Sequence, residues 1–77
     1  MSIKVLYFAS LKELLGHASA ELELSSPLTA GQIWQQLNPD IALPEGTLTA
    51  INMEYASPDT LLKDGDELAF FPPVTGG

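Results

Sequence analysis

The sequence contains no cysteine and no arginine, and only one histidine and one tryptophan. The lack of thiols excludes disulfides, thiolate metal sites and a cysteine nucleophile, so any sulfur chemistry must ride on another group. The lack of arginine leaves three lysines against ten aspartates and glutamates, a net charge of −7. A nucleic-acid binder needs a basic footprint to neutralise phosphates, and an anionic membrane surface would repel this chain, so neither is expected as a partner. A protein with a basic docking surface suits the charge, because complementary fields speed and orient encounter; the alternative is that the acidity serves solubility alone. No apolar run approaches the roughly 20 residues that span a bilayer. The opening MSIKVLYFASL is too short and too strand-like for a signal peptide, which leaves the cytoplasm as the expected location.

The motifs of ordinary catalysis are missing as well. There is no P-loop, no Gly-x-Gly-x-x-Gly and no Gly-x-Ser-x-Gly. His17 follows Gly16 in a loop without a second histidine or a cysteine to complete a metal set, and reads as solvated surface. Asp64, Asp66 and Glu67 lack the spacing of a calcium loop and read as turn chemistry. No metal and no bound cofactor are expected, and the chain offers no catalytic centre of its own. With 77 residues it forms one small domain, which buries only about 60% of the surface of its unfolded chain.

What is present is a regular alternation of short elements. Residues 3–9 (IKVLYFA) read as a strand with Ile3, Val5 and Tyr7 on one face and Lys4, Leu6 and Phe8 on the other. Residues 10–15 (SLKELL) read as a short helical turn with Ser10 as N-cap and Gly16 as stop. Residues 19–24 (SAELEL) alternate cleanly and pair antiparallel with the first strand. Thr29 and Gln32 have the spacing of a capping box, and Ala30, Ile33, Trp34 and Leu37 form the apolar face of the main helix, with Trp34 a core residue. Asn38-Pro39 closes that helix. A third strand is expected over 48–53, a tight reversal around Asn52 to Glu54, and a short fourth strand over 54–57. Leu61 and Leu62 are expected to pin the following connection, and a final strand runs over 67–71. One helix cannot cover both faces of such a sheet, so the fold expected is an α+β roll. Its first and last strands lie parallel in the centre of a mixed four- to five-stranded sheet, with one main helix on one face, which is the β-grasp arrangement of ubiquitin.

The last fourteen residues, DGDELAFFPPVTGG, concentrate the functional signal. Asp64-Gly65-Asp66 is a turn. In the strand, Leu68 and Phe70 face one way and Ala69 and Phe71 the other, and Pro72-Pro73 ends the ladder because neither ring nitrogen can donate to it. The reading is a domain over 1–73 followed by a flexible tail over 74–77 that presents the carboxylate of Gly77. A carboxylate is a poor electrophile until activated, but on a thin arm it can be fed into another protein's active site. Gly76 and Gly77 have no Cβ and fit a narrow channel, while Pro72-Pro73 start the arm stiff and extended. Two glycines end roughly 0.5% of chains by chance, so a frayed end is the weaker account on a body of this kind.

At residues 3–16 (IKVLYFASLKELLG) and 64–77 the chain resembles the sulfur-carrier subunits of molybdopterin synthase, a ubiquitin-like family of molybdenum-cofactor synthesis. The likeness covers nearly the whole length, with residues 18–59 matching in pattern more than in residues. It implies that an ATP-dependent adenylating enzyme, related to ubiquitin-activating enzymes, converts the Gly77 carboxylate to a glycyl-adenylate. Sulfur then replaces AMP to leave a thiocarboxylate (1-thioglycine). The carrier docks on the large, catalytic subunit, forming a heterotetramer, and donates sulfur to cyclic pyranopterin monophosphate (precursor Z), with two loaded carriers serving each dithiolene. The resemblance also assigns a docking face. Phe8 and Phe71 fit its apolar contacts, with Leu6 on the same side and Tyr55 where the family has an aliphatic residue. Lys12 stands where the family often has an arginine, and loses the bidentate fork. Pro72, Pro73, Val74 and Thr75 lead the tail into the partner. Two rivals remain: a sulfur carrier of another pathway, such as thiamine synthesis, and a ubiquitin-like modifier or binding module.

Overall fold

The computed structural model describes residues 2–73. Of the expected site residues, Val74, Thr75, Gly76 and Gly77 lie outside the described residues. Strands β1 (Ser2–Tyr7), β2 (Ser19–Glu23), β3 (Leu48–Ile51), β4 (Glu54–Ala56) and β5 (Glu67–Phe71) alternate with helices α1 (Ser10–Leu15) and α2 (Ala30–Leu37). They form one five-stranded sheet in the order β2-β1-β5-β3-β4. The first and last strands are parallel neighbours, with Val5 opposite Leu68 and Tyr7 opposite Phe70, and the other pairings are antiparallel. This is the expected β-grasp, with all five strands formed.

Alternation along β1 and β5 sends Ile3, Val5, Tyr7, Leu68 and Phe70 to one face, where all are buried against Ala30, Ile33 and Trp34 of α2. The centre is aromatic. Trp34 meets Phe70 edge-on at 5.1 Å and Tyr7 edge-on at 5.8 Å, and its indole N–H donates to the Ile41 carbonyl at 2.7 Å. That bond satisfies the one polar atom a buried tryptophan carries. The capping box forms as expected. Thr29 Oγ1 accepts from the Gln32 amide at 3.2 Å, and Gln32 Oε1 accepts from the Thr29 amide at 2.9 Å. The next two donors of α2, Ala30 and Gly31, reach the carbonyls of Thr60 and Pro58. The start of the helix is therefore tied to the segment before β5 with its free N–H groups satisfied.

Four local expectations are corrected. Strand β1 stops at Tyr7, two residues early. Ser10 is the first residue of α1, and the N-cap is Ala9, at φ 52° with no side-chain hydrogen bond. The Phe8 amide is still held by the Phe70 carbonyl, so the chain reverses within Ala9 alone to bring Leu11 into the core. Strand β3 ends at Ile51, because Asn52 and Met53 both take positive φ in a two-residue hairpin turn. Leu62 is fully buried but Leu61 is exposed, since successive residues of an extended segment face opposite ways.

The acidic stretch is turn chemistry. Asp64 Oδ1 accepts from the Ser2 amide at 2.8 Å, and the Gly65 amide donates to the Ser2 carbonyl at 2.8 Å. Asp66 Oδ2 accepts from the Lys63 amide, while its Oδ1 accepts from Asn52 Nδ2, whose partner oxygen takes the Glu67 amide. One loop thus clamps the start of β1, the β3–β4 turn and the start of β5.

Tyr7 gives the core a pH signature. Burial pushes its phenol above the ordinary value near 10, against a smaller opposing effect of the hydrogen bond donated by Asn38 Nδ2. The folded state therefore keeps its proton at pH values where the unfolded chain has lost it, so this contribution is complete below about pH 10 and falls as pH rises through the folded pKa. Urea midpoints measured across this range should drop more steeply for the wild type than for Tyr7→Phe. Equal slopes would remove Tyr7 from the account.

Candidate functional site

The face opposite α2 is where the sheet departs from an ordinary solvent-facing surface. Strand register places Leu6 opposite Ala69, Ala69 opposite Ala50 and Ala50 opposite Tyr55. A single row across β1, β5, β3 and β4 thus runs large, small, small, large. The two alanines form the floor of an open depression of about 400 Å³, walled by Leu6, Phe8, Tyr55, Met53 and Phe71, with Glu67 at its edge. Above the row, Phe8 and Phe71 stack nearly parallel, 4.7 Å apart at 6°, and Tyr55 meets Phe71 edge-on at 6.3 Å. Phe8 is 41%, Tyr55 76% and Met53 92% exposed. An aromatic cluster of this kind around a hollow is the usual mark of a protein-binding surface.

Charge is distributed unevenly around it. Lys4 stands in register between Glu21 and Glu67. Lys12, on α1, borders an adjoining depression together with Lys4, Leu6 and Phe8. Lys12 and Lys4 thus place positive charge at the Phe8 end of the apolar face, on a chain whose net charge is −7.

Leu6, Phe8 and Phe71 come together on the side that alternation assigned to them, Tyr55 joins them from β4, and Lys12 borders the adjoining depression with Leu6 and Phe8. Pro72 is half-buried and Pro73 exposed, and both continue directly from β5, so the apolar face and the exit of the chain share one strand. The sequence reading missed Ala50 and Met53 as parts of this surface. Its usable signal for the floor was alanine at outward positions of two neighbouring strands, where a solvent-facing strand ordinarily carries polar residues. His17 lies elsewhere, edge-on to the core-facing Tyr7 at 5.4 Å. Among the described residues no group of three or more His, Cys, Asp or Glu side chains is placed to hold a metal ion, and no helix is long and apolar enough to cross a membrane. The arrangement can bind and orient; it assembles no nucleophile with a base.

Comparison with known proteins gives a consistent picture. Residues 5–77 match the model of the ThiS family. The chain is 43% identical, over 81 aligned positions, to the molybdopterin synthase sulfur carrier subunit of Escherichia coli (strain K12), covering 97% of this chain and 99% of that one. Among solved structures, SAMP1 from Haloferax volcanii superposes with a TM-score of 0.81 at 28% identity over the whole of both chains. A chain in the complex of subunits 1 and 2 of the molybdopterin-converting factor from Helicobacter pylori 26695 superposes with a TM-score of 0.67 at 25% identity, again over the whole of both.

The Phe8–Phe71 stack should be measurable without any partner. In a double-mutant cycle of Phe8→Ala and Phe71→Ala, unfolding free energies should reveal a coupling of about 0.5–1.5 kcal/mol. A coupling indistinguishable from zero would mean that the rings merely share a surface.

Proposed function

The chain belongs to the ThiS family, and from that premise we propose that it serves as the sulfur-carrier subunit of a molybdopterin synthase, acting in the cytoplasm through its C-terminal glycine. The observation that carries this reading is the continuity of the alanine-floored apolar face with β5 and its exit at Pro72-Pro73. A partner that covers Phe8, Tyr55 and Phe71 also receives the segment leading to Gly77. The name of the Escherichia coli relative and the two-subunit complex of the Helicobacter pylori neighbour support it.

The chemistry follows from what a carboxylate can and cannot do. An adenylating enzyme spends ATP to form a Gly77 acyl-adenylate and pyrophosphate, making AMP the leaving group. A sulfur nucleophile displaces AMP, and Gly77 ends as a thiocarboxylate. On the large subunit the thiocarboxylate sulfur attacks a carbon of precursor Z and displaces the oxygen bound there. Water then cleaves the resulting thioester to the Gly77 carboxylate and a pterin-side thiolate; two rounds supply the two sulfurs of the dithiolene. The carrier contributes docking, reach and the absence of steric bulk at Gly76 and Gly77. The large subunit contributes the catalytic groups, and the working assembly is a heterotetramer of two carriers and two large subunits. The domain is the described β-grasp body, with residues 74–77 as its reactive extension.

A modifier role has its own supporting observation in the superposition on SAMP1, which a neighbour from the same organism calls small archaeal modifier protein 1. That reading requires isopeptide adducts on lysines of other proteins.

Two measurements test the proposal. After incubation with ATP, a sulfur donor and the cognate adenylating enzyme, intact mass should rise by the exchange of one oxygen for one sulfur, confined to the C-terminal peptide and absent when Gly77 is deleted. Failure to form adenylate and thiocarboxylate with an active enzyme sinks the carrier reading, and adducts on lysine replace it with the modifier. For docking, Phe71→Ser should weaken binding to the large subunit at least about tenfold. Lys12→Ala should cost less than about fivefold, as an exposed ion pair does. A larger loss at Lys12 than at Phe71 would reverse the assignment of the anchor.

A further inference from the structure

Three described glycines have positive φ: Gly16 at 81°, Gly46 at 81° and Gly65 at 84°. A Cβ added at Gly16 or Gly65 would meet nothing within 4 Å, whereas one added at Gly46 would lie 3.2 Å from Pro73 Cβ and 3.5 Å from its Cγ. Gly46 is therefore more than a turn residue. It occupies the third position of a tight turn over residues 44–47, closed by the Thr47 amide and hydroxyl, both of which donate to the Pro44 carbonyl, at 3.2 and 2.6 Å. The turn leads straight into β3, whose first residue Leu48 pairs with Phe71. The antiparallel register then sets the turn beside Pro72-Pro73, at the point where the chain leaves the sheet.

We propose that Gly46 is a positioning residue, and that the turn it closes is a backstop against Pro73 that sets the direction in which the C-terminal segment leaves the body. The proposal rests on the carrier reading for its consequence, since direction matters only if the end of the chain must reach a reacting centre. Its physical basis is independent of that reading. Pro73 has a ring in place of a flexible side chain and a locked φ, so it has no rotamer with which to yield. A methyl group at position 46 would stand 3.2 Å from Pro73 Cβ, so the contact must open by a few tenths of an ångström between the turn and Pro73. Four residues follow Pro73, and a misplacement of about 1 Å at a reacting group can lower its rate by up to about a hundredfold.

The test separates positioning from plain turn strain. Gly46→Ala carries both the Cβ contact and the positive-φ penalty. Gly46→Asn carries the same contact with a side chain that tolerates positive φ. Gly65→Ala carries the penalty without the contact. Each is assayed with the cognate adenylating enzyme for kcat and KM of pyrophosphate release, and by residual dipolar couplings for the Val74 and Thr75 amide vectors relative to the sheet. Both Gly46 variants should lower kcat about tenfold with KM within about twofold, because docking uses the outer face, and both should change the couplings. Gly65→Ala should leave all three quantities at wild-type values despite its lower stability. Recovery of kcat and couplings in Gly46→Asn, or an equal loss in Gly65→Ala, would overturn the proposal in favour of turn strain. If the wild type itself forms no adenylate, the carrier reading fails, and the couplings alone decide whether Gly46 orients the chain.

Discussion

The parallel pairing of β1 with β5 is the constraint on which the rest of the molecule depends. It joins the two ends of the chain in the centre of the sheet, and its register settles both faces at once. Val5 with Leu68 and Tyr7 with Phe70 give the inner face its core, while Leu6 with Ala69 begins the row that makes the outer depression. Parallel neighbours cannot be joined by a hairpin, so everything between them, including α2 and the β3–β4 hairpin, serves as one long crossover. The clamp of Asp64, Gly65 and Asp66 on Ser2, Lys63 and Asn52 holds that register from one end. A slip of one residue there would turn Phe70 outward and Phe71 inward, exchanging the core for the outer aromatic face.

The two faces make opposite demands on a small domain. The inner face is closed by a single eight-residue helix and three interlocked aromatic rings, so most of the apolar burial sits within one layer. The outer face leaves Phe8 and Tyr55 to solvent, which adds little to folding. Alanine at positions 50 and 69 sharpens the contrast. Larger residues there would bury more surface and flatten the hollow, so this chain forgoes stability at the point where a complementary side chain can enter.

Much of this could be read from residue order alone, and the exceptions have a common cause. Period-two alternation located β1, β2 and β5 and assigned Leu6, Phe8, Ala69 and Phe71 to the outer face, and the Thr29–Gln32 spacing predicted the cap of α2. These signals are local, and local physics decides them. What escaped depends on contacts between segments distant in sequence. Ala9 takes a positive φ because Phe70 holds the amide of Phe8 while Leu11 must reach the core. Leu61 looked like an anchor because its neighbour is one. The alanine floor exists only through the register of three strands, and the contact between Gly46 and Pro73 only through the pairing of β3 with β5.

The absence of a catalytic constellation in the described body then ceases to be a puzzle. A group that must visit two partners in turn is best carried on a terminus, where it needs no cavity of its own, and both visits can use one docking surface if that surface and the terminus share a strand. Phe71 and Pro73 meet this requirement, two residues apart. On the carrier reading proposed above, binding at Phe8, Tyr55 and Phe71 would immobilise β5 against the partner, so the freedom of the reactive end would be lost in docking and not again during reaction. On the same reading the heading of the chain at Pro72-Pro73 matters, and it is there that the turn at Gly46 approaches Pro73. In a carrier of this design the protein supplies orientation while its partners supply the chemistry, and the residues that matter are those that aim.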